Sequence, residues 1–180
     1  MDKVKYPTTS AIRFLREKKI RFVPHLYPYE ERGGTGHSAE MLKVDEHRVI
    51  KTLVMETDSR KPFIVLMHGD CEVSTKGLAR TLEVKSVQPC SPETAQKHTG
   101  YLVGGTSPFG TRTALDIYVE GTIFDLPNIY INGGKRGFLV EIDPRDMRHV
   151  LPLHEVEVAI GLHTVQTKSD ENKVASEVAV

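Results

Sequence analysis

The stretch VIKTLVMET, residues 49–57, sets the frame for the rest of the chain. This run, rich in β-branched and other apolar side chains, is followed by the polar turn Asp58-Ser59-Arg60 and a second apolar run, FIVLM at 63–67. The pattern predicts two strands paired through a hairpin. Alternate side chains of a strand share a face, so Val49, Lys51, Leu53 and Met55 lie on one side and Ile50, Thr52 and Val54 on the other. Both sides are largely apolar, so a lysine in the middle is anomalous. Two readings of Lys51 stay open. Its ammonium either snorkels to water past a sheet edge or points into a pocket to meet an anion or a carbonyl.

On the N-terminal side, Thr8-Thr9-Ser10 offers N-caps for a helix running to about Lys18, with Ile12 and Leu15 at helical spacing. Residues 21–29 (RFVPHLYPY) read as an extended, irregular strand because of Pro24 and Pro28, and residues 37–43 as a short helix. On the C-terminal side, Ser74 caps a helix through Leu82, VKSV at 84–87 is a short strand, and Ser91-Pro92-Glu93 opens another helix. Strands follow at 115–119, 128–132 and 137–142. Gly133-Gly134 reads as the hairpin turn between the last two, and Asp143-Pro144 caps a last helix to about Leu151. Helices interspersed among hairpins point to an α+β fold with a mixed sheet rather than a doubly wound one.

The 180 residues suffice for one domain, read as 1–163, followed by a polar tail, 164–180, with too little apolar surface to order itself. Lys+Arg and Asp+Glu balance at 24 each, which argues against wide contact with a nucleic acid backbone but leaves room for a short end held in a local pocket. No apolar run approaches a membrane span and the first ten residues carry no signal-peptide pattern, so the expected compartment is the cytoplasm. Cys71 and Cys90 form no CxxC and predict no disulfide framework.

A second stretch, TGYLVGGTSPFGTR at 99–112, is too rich in glycine and hydroxyl residues to build core. It reads as a turn or as a backbone cradle, where successive N–H groups meet an anion or a developing oxyanion. It is neither a P-loop nor a GxGxxG fingerprint. NGGKRG at 132–137 presents Lys135 and Arg136 on a tight turn, suited to solubility or to a phosphate. HExxH and GxSxG are absent. His68-Gly-Asp-Cys71 supplies too few ligands for a tetrahedral metal site without distant help. The chain therefore advertises no nucleophile of its own.

Together, VIKTLV (49–54), TGYLVGGTSPFG (99–110) and IYINGGKRG (129–137) resemble the YbaK-type aminoacyl-tRNA deacylases, homologues of the editing domain in bacterial prolyl-tRNA synthetases. The similarity spans roughly Pro7 to Leu153. It implies a compact single domain around a curved mixed sheet, a half-barrel with surrounding helices. The implied activity is removal of a wrong amino acid from tRNA, with cysteine on tRNA for proline the leading substrate. It implies that Lys51, Gly104 and Gly105 carry the reaction, and that Tyr27, Thr52, Thr106, Ser107, Pro108, Asn132, Lys135 and Arg136 bind the substrate. No metal and no cofactor are called for, and the partners implied are the acceptor 3′ end and a prolyl-tRNA synthetase. In the cysteine-specific branch the substrate's thiol attacks its own ester, which accounts for the missing nucleophile. The alternatives are water-based hydrolysis of alanyl-tRNA for proline and a non-catalytic module docking on a synthetase. Two positions depart from the pattern: Asn132 stands where serine is common, and Leu139 where aspartate is common.

Overall fold

The computed structural model describes residues 4–161 and the backbone of 174–175. The strand predicted at 49–57 is β2, Val49–Thr57, and its partner is β3, Pro62–His68, antiparallel from Ile50 opposite His68 to Glu56 opposite Pro62. The other elements of the main sheet are β1 (Val23–Leu26), β5 (Val87–Pro89), β6 (Ile117–Glu120), β7 (Ile129–Lys135), β8 (Phe138–Ile142) and β9 (Leu153–Val156). Its order is β1-β8-β7-β2-β3-β6-β9, with β5 alongside β2. β2 runs parallel to β7, β3 to β6 and β6 to β9, while the hairpin pairs are antiparallel, so the sheet is mixed. A smaller sheet joins β4 (Cys71–Ser74), β10 (Ala159–Gly161) and β11 (Val174–Ala175) in the order β10-β4-β11.

Helices α1 (Ser10–Glu17), α2 (Gly34–Leu42), α3 (Thr75–Leu82), α4 (Pro92–Thr99) and the short α5 (Met147–Val150) surround these sheets. Thr9, Ser74 and Ser91 cap α1, α3 and α4 through their hydroxyls, each satisfying one of the free first-turn N–H groups. Ala11, Ile12 and Leu15 of α1 are fully buried with Ile50, Phe109, Ile131, Phe138 and Val140, forming the largest apolar cluster. Leu53, Met55, Val65 and Met67 pack under α3. β2 therefore has apolar cover on both faces, as its composition implies.

Four readings need correction. The hairpin turn is Arg136-Gly137, not Gly133-Gly134: Lys135 pairs with Phe138, and Gly137 takes the positive φ (+76°) that the two-residue loop requires. Gly133 and Gly134 lie inside β7 at a register shift between Asn132 and Lys135. There a Cβ on Gly133 would stand 2.6 Å from the Phe138 ring. The 84–87 strand begins only at Val87, because Glu83 ends α3 in the left-handed conformation and Val84 N–H still bonds back to Ala79. α2 starts at Gly34, earlier than the 37–43 reading. The last helix is broken into a 3-10 turn, Pro144–Asp146, and α5. Of the tail read at 164–180, Val174 and Ala175 pair with Ser74 and Val73 of β4, and the rest lies outside the described residues.

Candidate active site

β2 is an interior strand between β7 and β3, so Lys51 has no sheet edge past which to snorkel. Its Nζ instead donates to the Cys71 carbonyl at 2.7 Å. Burial lowers the Lys51 pKa, and the acidic groups Glu72, Glu46 and Asp70 around it oppose that shift without cancelling it. A half-buried ammonium with three donors and one carbonyl as its observed partner can take further acceptors.

The parallel register pairs Val49 with Tyr130 and Ile50 with Ile131. Lys51 and Asn132 each stand one residue past the last pair, on the face that also carries Val49, Tyr130, Leu139 and Tyr27. Asn132 is 1% exposed and both of its polar atoms are engaged: Nδ2 donates to the Gly104 carbonyl at 3.1 Å and Oδ1 accepts from Gly134 N–H at 2.7 Å. Arg136 Nε donates to the Val103 carbonyl at 2.8 Å. The glycine loop is thus docked on the end of the β7–β8 hairpin. This close approach gives Gly105 its reason within the chain, since a Cβ there would lie 2.8 Å from Arg136 N. Gly104 takes φ +89°, a conformation L side chains rarely adopt.

The remaining predicted residues divide. Gly104 to Pro108 are buried. Thr106 Oγ1 donates to Leu102 O at 3.4 Å and Ser107 Oγ accepts from Phe109 N–H at 3.2 Å, so both hydroxyls shape the loop itself. Lys135 and Arg136 are exposed at the hairpin tip. Tyr27 is 9% exposed, its N–H bonded to Gly137 O at 2.9 Å and its hydroxyl raised in pKa by burial. Thr52 alternates away from Lys51 onto the Ile50 face, where its Oγ1 is buried without a hydrogen-bond partner among the described residues. Leu139 is fully buried, cross-strand from Asn132, so the position where the resemblance expects a carboxylate is apolar here.

Residues 34–150 match the family described as Aminoacyl-tRNA editing domain. The chain belongs to that family. One curated relative, a candidate Cys-tRNA(Pro)/Cys-tRNA(Cys) deacylase, EbsC, of Enterococcus faecalis, is 28% identical over 137 residues, covering 76% of this chain and 84% of the relative. A proline–tRNA ligase of Levilactobacillus brevis is 30% identical over 93 residues, 52% of this chain but 16% of the ligase. Among solved structures, a hypothetical protein superimposes with a TM-score of 0.76 at 18% identity, covering 84% of this chain and 99% of its own. A candidate trans-editing enzyme for prolyl tRNA synthetase gives 0.74 at 18% identity, covering 87% and 100%. These structural likenesses establish that this editing domain has the α+β fold expected of it. No helix among the described residues is long and apolar enough to cross a membrane.

Sequence reading missed His47. The distant partner that His68-Gly-Asp-Cys71 seemed to lack is this residue, whose Nδ1 meets Asp70 Oδ1 at 2.7 Å. One ligand atom each from His47, Asp70 and Cys71 lies within 4.8 Å of the others. His68 is not part of that set, because its two ring nitrogens bond His47 O and Thr122 Oγ1 while its ring stacks on His47 at 3.8 Å. A residue 23 positions upstream in a 3-10 turn, Glu46–Arg48, leaves no local spacing signal.

Proposed function

We propose that the chain is a trans-editing deacylase that removes cysteine from tRNA for proline, with the substrate's own thiol as nucleophile. The observation that carries this reading is the juxtaposition of Lys51 with Asn132, whose amide holds the glycine loop at Gly104. In this reading Lys51 contributes positive charge to the bound ester or its phosphate. The main-chain N–H of Gly104 is the donor offered to the oxyanion, while Gly105 N–H bonds Leu102 O at 2.9 Å and holds the turn that presents it.

The protein's own candidates for nucleophile are poor. Burial pushes the Cys71 thiol up to about 11 and the Cys90 thiol up to about 12, so neither is a thiolate near neutral pH. Ser107 is fully buried, its hydroxyl taken by the turn. In the proposed step the substrate sulfur bonds to the carbonyl carbon, the ester C–O bond breaks, and the thiol proton leaves with the ribose oxygen. A cyclic thiolactone is released. Holding an internal nucleophile against its carbonyl supplies roughly 7–11 kcal/mol of the barrier. The likeness to EbsC and to proline–tRNA ligases supports the choice of amino acid and tRNA, and a prolyl-tRNA synthetase is the docking partner this implies.

Deacylation of cysteinyl-, seryl- and alanyl-tRNA for proline tests the reading. Cysteine is expected to be released at least tenfold faster than the other two, and equal rates for alanine would overturn the thiol mechanism. The second reading is hydrolysis of alanyl-tRNA by water, and the residues to vary first for it are Asn132 and Leu139, the cross-strand pair that departs from the family pattern.

A further inference from the structure

Two exposed side chains, Tyr29 and Arg136, meet beside the glycine loop, and a third, Leu102, stands on the loop one residue before the carbonyl that Arg136 holds. Tyr29 is 37% exposed and Leu102 52% exposed. The Arg136 guanidinium lies 5.3 Å from the centroid of the Tyr29 ring while its Nε holds Val103 O, the residue after Leu102. The platform is fixed although it is exposed. Tyr27 N–H is tied to Gly137 O, and the Pro28 carbonyl is tied to His37 Nε2 at 2.7 Å. Pro28 also has its own φ set by its ring. Glu30, the next residue in the chain, is paired with His37 Nδ1 at 3.2 Å. An aromatic ring, a guanidinium plane and an aliphatic side chain, held still and facing solvent, form a surface on which a nucleobase stacks.

Resting on the editing reading above, we infer that Tyr29, Arg136 and Leu102 form a ledge for the unpaired nucleotide preceding the aminoacylated adenosine. The acceptor end is single-stranded, so its bases are free to stack, and stacking is indifferent to which base is presented. The ledge then supplies binding to the tRNA strand without touching the ester, which predicts an effect on KM rather than kcat.

Two measurements on the full chain decide it. The first is binding of a short RNA ending in CCA, followed by fluorescence anisotropy. Tyr29→Ala is expected to weaken it about tenfold, the size of one lost base–aromatic contact. Tyr29→Phe should stay within twofold of wild type, and Leu102→Ala should fall between them. The second is deacylation of full mischarged tRNA against the same amino acid esterified to adenosine alone. Tyr29→Ala should raise KM on the tRNA and leave the adenosine ester unchanged, since that ester has no preceding base. Unaltered RNA binding by Tyr29→Ala, or an equal loss on both esters, would overturn the ledge. A protein that binds the RNA through Tyr29 but cleaves no mischarged tRNA would keep the ledge and remove the deacylase reading. A protein that cleaves normally with Tyr29→Ala would do the reverse.

Discussion

Lys51 and Glu56 stand five residues apart on one strand, on opposite faces, and the protein treats their charges differently. Glu56 is 5% exposed and surrounded by donors. Arg60 Nη1 reaches Oε1 at 2.5 Å, Gln88 Nε2 reaches the same oxygen at 3.0 Å, and Cys90 Sγ lies 3.8 Å from Oε2. These bonds, led by Gln88, hold its carboxyl below the usual range against the cost of burial. Lys51 has a single observed partner, a carbonyl, and burial dominates its titration in the opposite sense, making its charged form less favourable. A buried charge already met by donors from its own chain ties a fold together. One left with donors to spare weakens the fold slightly and is available to something that arrives later.

The sharpest way to break this contrast is to remove each charge. Lys51→Ala is expected to lower deacylation by about a hundredfold or more with the melting temperature within a few degrees of wild type. Glu56→Ala should do the opposite, costing about 2 kcal/mol, or several degrees in Tm, with the remaining folded protein fully active. Equal effects on both readouts for both variants would show that the contrast has no functional meaning.

Gly105→Ala comes next. The added methyl meets Arg136 N at 2.8 Å and pushes the loop off the hairpin, so roughly tenfold of activity and about 1–3 kcal/mol of stability should go together. Urea titration alongside kinetics checks both.

The two charges also give opposite pH signatures. The Glu56 pKa is depressed, so its contribution is fully present above the unfolded value near 4.5 and is lost as pH falls through the folded one. The stability gap between wild type and Glu56→Gln should therefore close on acidification. The folded pKa of Lys51 lies below its ordinary 10.5, so its folded form binds fewer protons than the unfolded chain between those two values, and stability rises with pH across that window. Lys51→Met should be more stable than wild type near neutrality, and that advantage should shrink as pH rises towards 10.5. The smallest expected effects are those of Cys71→Ala and Cys90→Ala on the deacylation rate, which should stay within twofold of wild type.

How far these residues were legible in the sequence follows from how local their signals are. β2 and the Ser74 and Ser91 caps are recoverable from short windows, because burial on both faces and a hydroxyl before a helix each write themselves into consecutive residues. The β7–β8 turn misled for a physical reason. Gly133-Gly134 carries the usual turn signal, but those glycines make room for Phe138 and Tyr101 rings brought there by other segments. β4, β9 and β10 are only three or four residues long, too short for alternation to show. The predicted residues Lys51, Asn132 and Gly104 were legible only as a pattern of three distant motifs. The bonds linking Asn132 and Arg136 to the loop, like the pairing of His47 with Asp70, depend on separations of 23 to 33 residues that no window contains.

The loop's anchorage has a consequence for anyone wishing to redesign it. Asn132 and Arg136 grip the carbonyl oxygens of Gly104 and Val103, and a carbonyl is common to every residue type. Positions 102 and 103 can therefore be randomised in a library while the loop's path is inherited from side chains outside the library. Gly104 and Gly105 are kept for their backbone. The scaffold separates what holds the loop from what the loop displays, which is the property a directed-evolution campaign for new acyl-group specificity needs.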